Sequence, residues 1–260
     1  MKNSTKNLLQ RFLKNDATTL LLRLALLYIL WFLCRIVFYL QNAGLVGPLE
    51  WNEIPGLLRG AGMFDTASIL YVNALFILLS LLPLRLRERR WYRAVLFWYY
   101  VAVNAVLVVA TNLADTVYFR YTQKRFTADE IFFADNDNSL QLAGKFMAEN
   151  WYLVLLWAGL VALLAWGYRR RTHEESVFSR GWAYYIGNTV IFAAAAGLSV
   201  AGMRGGMTRM TRPITLSNAM LYTADSGKAN LILSNPFCIL RTIGNAGSVK
   251  YRKYFTPEEL

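Results

Sequence analysis

Long apolar runs alternate along this chain with short charged connections. Five runs are long enough to cross the roughly 30 Å of bilayer hydrocarbon as helices: 18–40, 63–84, 94–112, 151–168 and 182–203. One such run also suits the buried helix of a soluble core, but five in succession predict an all-α polytopic membrane protein. The first run has no small-residue cleavage site behind it, so it is expected to stay as an anchor. Residues 1–17 are polar, with Leu8, Leu9, Phe12 and Leu13 at helical spacing, which predicts a short amphipathic helix on the membrane surface. Residues 115–150 mix aromatics with charges and hold no span-length run; Phe126, Ile131, Phe132 and Phe133 there predict interfacial helices with one apolar side. The fifth run carries Ala193 to Ala196, Gly197, Ala201 and Gly202. Small residues permit close helix approach, so this span is expected inside the bundle. No internal repeat is visible.

After residue 203 the pattern changes. Residues 204–260 are polar, basic and punctuated by Asn, Ser and Gly, with only short helical patches. They read as a linker leading out of the five-helix domain, 18–203, towards a domain that would follow.

Composition agrees with a membrane class. Hydrophobic residues make up 56% and charged residues 17%, where soluble domains run nearer a quarter charged. The net charge of +12 raises the question of nucleic acid. Much of the basic excess lies in short connections between apolar runs, so orientation in a bilayer accounts for it and no nucleic-acid partner is expected. With the N-terminus inside, the inner segments hold thirteen basic residues and the outer loops five, fewer than those loops' acids. The positive-inside rule then predicts a cytoplasmic N-terminus and, after five crossings, an extracytoplasmic tail. Cys34 and Cys238 are isolated, and His173, the one histidine, sits beside Glu174 and Glu175. Neither a disulfide framework nor a metal-ligand spacing follows from them.

Candidate chemistry gathers at the predicted outer rim. Arg35 lies about five residues inside the outer end of the first span and Asp65 just inside the start of the second; Asp115 follows the third and Arg204 the fifth. A charge at bilayer depth costs roughly 2.5–3.5 kcal/mol on insertion scales, so it has a partner or a task. One reading is a headgroup site for an anionic lipid, with Arg35, Arg125 and Arg204 on its phosphate and Asp65 and Asp115 beside them. The other is an Arg35–Asp65 pair that locks adjacent helices, with Arg204 snorkelling. Arg209 and Arg212 fit docking of a following domain, or an ordinary basic rim. Asn73 and Asn104, near mid-span, are placed to bond between helices.

These residues also carry a resemblance. Arg35 with Phe38, Phe64-Asp65, Asp115 with Tyr118, Arg125-Phe126, Asn235-Pro236-Phe237, Leu240-Arg241 and the closing Tyr254-Phe255-Thr256-Pro257-Glu258-Glu259-Leu260 occur in that order on a five-span layout. The chain resembles the membrane domain of lipoteichoic-acid-synthase-like transferases, the five-span branch of the alkaline phosphatase/sulfatase superfamily. The resemblance implies an extracytoplasmic sulfatase-like domain after the linker, with a threonine nucleophile and a divalent metal, usually manganese. It implies phosphoglycerol transfer from phosphatidylglycerol at the outer face of a bacterial cytoplasmic membrane. No catalytic residue, metal ligand or cofactor is expected in this stretch; it would anchor that domain and present lipid to it. A phosphoethanolamine transferase, a sulfatase-like hydrolase, and a non-catalytic binding or transport subunit stay open as alternatives.

Overall fold

A computed structural model describes residues 16–132, 139–170, 181–208 and 210–243, with residues 131, 132 and 139–143 in backbone only. Residues 1–15 of the predicted amphipathic segment 1–17, His173, Arg209, Phe133 and the closing motif at 254–260 lie outside the described residues, and Asp16 and Ala17 open the first long helix. All regular structure among the described residues is helical. Five helices are long and apolar enough to cross a membrane: α1 (Asp16–Val46), α2 (Ile54–Ser80), α3 (Arg90–Thr122), α6 (Trp151–Arg169) and α7 (Gly181–Arg204). Shorter helices are α4 (Ala128–Phe132), α5 (Ser139–Glu149), α8 (Ser226–Ile232) and α9 (Asn235–Thr242).

Burial follows the logic of a bilayer as solvent. Leu21, Ile29, Leu75, Trp98, Leu155 and Ile186 are exposed on the long helices, while Asn73, Asn104, Asp65 and Asp115 are buried between them. Trp51, Trp151 and Trp182 are exposed at or beside helix ends, where aromatic belts form. At mid-bundle Asn73 donates to Asn104 Oδ1 at 3.1 Å and Asn104 returns a bond to Asn73 Oδ1 at 2.8 Å. Each amide also donates to the carbonyl one turn back, Ile69 and Tyr100 respectively. Directly after Asn104, α3 widens into a π-helical segment, Ala105–Ala110. Such a widening weakens the helix's own ladder, and the Trp157 indole N–H of α6 donates to the Ala105 carbonyl at 3.0 Å.

Helix bounds run past the sequence expectation at one end of the bundle, called the tail end below. α2 starts at Ile54, with Pro55 in the first turn where its missing N–H is harmless. The stretch around Gly56 and Gly60 is therefore helix. A side chain at Gly60 would meet the Tyr222 ring at 2.8 Å, so the glycine admits that ring. α1 continues to Val46 across a break at Asn42, whose side-chain amide donates to the Phe38 and Thr116 carbonyls, both at 3.1 Å.

α7 corrects the expectation of an interior fifth span. Of its residues only Tyr184, Asn188 and Ser199 are buried, so it lies on the outside of the bundle against α2. The small residues serve that one contact: a side chain at Gly202 would clash with Leu70 Cδ1, whereas Ala193, Ala194 and Gly197 are exposed.

The largest departure is the tail. Residues 214–238 are built into the tail end. They supply more than half of a second hydrophobic core, where Ile214, Ala229, Ile232, Phe237 and Cys238 pack with Phe38, Phe64 and Phe119. The Phe64 and Phe237 rings meet edge to face at 4.9 Å.

Candidate functional site

α8 begins on Asp225, whose carboxylate accepts the Gly227 and Lys228 N–H groups as an N-cap. The helix is only seven residues long, and its closing carbonyls need partners from elsewhere. Ala229 is served by the Leu233 N–H at 3.4 Å. The next four carbonyls are taken by two arginines. Arg35 of α1 donates from Nε to Leu231 O at 2.8 Å and from Nη2 to Ile232 O at 3.2 Å. Arg125 donates from Nε to Asn230 O at 2.9 Å and from Nη2 to Leu233 O at 2.7 Å, with a further bond to Asn230 O. A helix C-terminus carries partial negative charge, so two cations there are favourable.

Each guanidinium is backed by a carboxylate from a neighbouring helix. Arg35 makes a bidentate pair with Asp65 of α2, both bonds 2.6 Å. Arg125 pairs with Asp115 of α3, whose other oxygen accepts the Phe126 N–H at 2.7 Å. Arg125 reaches back because α3 ends on Gln123 in the left-handed region (φ 55°), which reverses the chain. Its guanidinium also lies 3.7 Å from the centroid of the Phe38 ring.

Further bonds fix the segment after α8. Ser234 and Ser68 hydroxyls share a bond of 2.8 Å; the Asn235 N–H donates to Asn112 Oδ1 at 3.1 Å and its amide to Phe126 O at 2.9 Å. Lys228 donates to both oxygens of Glu53 at 2.7 and 2.5 Å. That bond holds the Glu53 carboxyl below its ordinary value and lifts Lys228 above its own.

Four of the residues singled out from sequence, Arg35, Asp65, Asp115 and Arg125, thus come together in one buried layer. Arg204 does not join them: it donates to Thr211 O at 2.8 Å and closes the loop after α7. Arg212 is exposed. Sequence reasoning missed Ser68, Asn112 and Ser234, and noted Asn235 only within the Asn235-Pro236-Phe237 motif; each is an ordinary polar residue whose role appears only with its partner.

The layer's charges cancel, two cations against two anions, and each arginine makes four hydrogen bonds. This is chemistry for holding a backbone. The void between Trp31, Cys34, Arg35, Phe38, Asn112 and Arg125 has room for about one water. Cys238 is buried in the second core, and burial pushes its thiol up to about 12, so it is a poor nucleophile. Among the described residues no three His, Cys, Asp or Glu side chains converge, so a manganese ion has no donor set there. The chain matches no family model, no curated protein and no solved structure.

Proposed function

We propose that this chain is the membrane-anchoring domain of a lipoteichoic-acid-synthase-like phosphoglycerol transferase, with its N-terminus in the cytoplasm and its tail outside. The observation that carries the reading is the capture of the closing carbonyls of α8 by Arg35–Asp65 and Arg125–Asp115. A bundle that only tethered its tail would have no use for a charge-balanced clamp on four backbone carbonyls. Built this way, it sets the point and direction from which the chain leaves the membrane. A catalytic domain beyond the tail would then work at a fixed height over the leaflet that supplies phosphatidylglycerol. Its threonine nucleophile and manganese belong to that domain.

A transport role has less support. A transporter needs free polar groups along a mid-membrane path, and Asn73 and Asn104 are consumed by each other. The deciding experiment is to read the coding frame past the codon for Leu260. An in-frame domain with a threonine nucleophile and His, Asp and Glu metal ligands is expected. A stop codon there overturns the reading.

A further inference from the structure

Trp31 lies one helical turn before Arg35 on the same buried face of α1, and is itself fully buried. Its indole Nε1 has no hydrogen-bond partner among the described residues. An indole N–H can only donate, and buried donors in native proteins are bonded to protein or to water. Trp31 is also one wall of the small void in the clamp layer, which Asn112, Ser234, Arg35 and Arg125 line as well.

The other walls supply what the indole lacks. Asn112 Oδ1 accepts the Asn235 N–H, and the Ser234 hydroxyl shares its bond with Ser68. A carbonyl or hydroxyl oxygen accepts two bonds, so each keeps capacity for one more. A void of one water's size leaves no wall far from its occupant. Cavities that stay empty are apolar, whereas a polar one holds a water that makes about three hydrogen bonds. Charge selects water over an anion: Asp65 and Asp115 already balance Arg35 and Arg125, and a buried anion would add an uncompensated charge.

We propose that the void is a binding site for one resident water, which accepts the Trp31 indole N–H and donates to Ser234 and Asn112. It joins α1 and α3 to the segment that follows α8, so Trp31 becomes a positioning residue of the clamp. The site depends on the clamp's geometry and not on what lies beyond Leu260.

The test is nuclear magnetic resonance on the full chain in detergent, with isotope-labelled indole nitrogens. Trp31→Phe assigns the Trp31 signal by its loss. That signal is expected at the hydrogen-bonded end of the indole range, with a direct Overhauser contact to a long-lived water. The contact should persist in Ser234→Ala, which removes the hydroxyl that could relay it and leaves two partners for the water. A signal at the unbonded end, no water contact, or loss of the contact in Ser234→Ala overturns the site. Exchanging chloride for gluconate should leave the signal in place; a shift would make the occupant an anion and overturn the assignment to water. Should Trp31→Phe fail to fold, a density map that resolves waters decides: a peak within hydrogen-bond distance of Trp31 Nε1 is expected, and no peak overturns the proposal.

Discussion

Arg35 and Arg125 divide the four closing carbonyls of α8 between them: Leu231 and Ile232 to the first, Asn230 and Leu233 to the second. A seven-residue helix is too short to stand alone in water. It is held because α1 and the turn after α3 supply the bonds that its own ladder lacks. Each arginine in turn is affordable at that depth only because Asp65 or Asp115 neutralises it.

Breaking one member of a pair should therefore release the tail. Arg125→Gln leaves the buried Asp115 charge uncompensated and two carbonyls without donors, a loss of about 3–5 kcal/mol by analogy with other buried pairs. The expected readout is a lower melting temperature together with new proteolytic cleavage between residues 226 and 243. Asp115→Asn should behave alike. The double variant should lose less than the sum of the two, because the partners act on each other. Full additivity would mean that the pair is not coupled.

The tail's first lock responds to pH in a calculable direction. Glu53 is held low by Lys228, so its contribution is complete above the ordinary carboxylate value of about 4.3 and fades as pH falls through the lower folded value. Lys228 is held high, so its contribution is complete below about 10.4 and fades as pH rises through the higher folded value. Proteolytic protection of α8 is expected to be flat from pH 5 to pH 9 and to weaken towards pH 3. In E53Q the acid-side weakening should shrink. Unchanged acid sensitivity in E53Q would assign it to other groups.

Gly60 is a geometric hinge-pin for the same docking. A side chain there meets the Tyr222 ring at 2.8 Å and Ile232 Cγ2 at 3.0 Å, whereas one at Gly62 meets nothing within 4 Å. Gly60→Ala should cost about 1–3 kcal/mol by overpacking, and Gly62→Ala should be neutral or slightly stabilising from helix propensity. Thermal melts of the two variants side by side check this. Equal melting temperatures would show that Tyr222 moves aside freely.

Much of the bundle was legible because five helices long and apolar enough to cross a membrane write long apolar runs into the sequence. The charges at the rim were legible for the same reason: Arg35 and Asp65 stand out against Leu and Phe. Their main partners were hidden, since a backbone carbonyl has no sequence signature. The tail read as linker because Ser234, Asn235 and Lys228 are polar. In the fold each meets a polar partner, Ser68, Asn112 and Glu53, and is buried at no great cost. The start of α2 was hidden by Pro55, Gly56 and Gly60, which punctuate loops but here open a helix and admit a ring. The Ala-rich α7 misled because small residues signal close approach and say nothing of how many neighbours approach.

Orientation is the last prediction, and the molecule is convenient for testing it. Both native thiols, Cys34 and Cys238, are buried, and Cys238 is further protected by a value near 12. Single cysteines can then be read without first removing them. Ser217→Cys, on the exposed surface of the tail, should react with a membrane-impermeant maleimide applied to intact cells. Glu88→Cys, in the basic turn between α2 and α3, should react only after the cells are opened. The positive-inside argument requires this pairing, because the turn at 85–93 carries five basic residues. The reverse pattern would put the clamp on the cytoplasmic side and remove the reason to expect an extracytoplasmic domain beyond it.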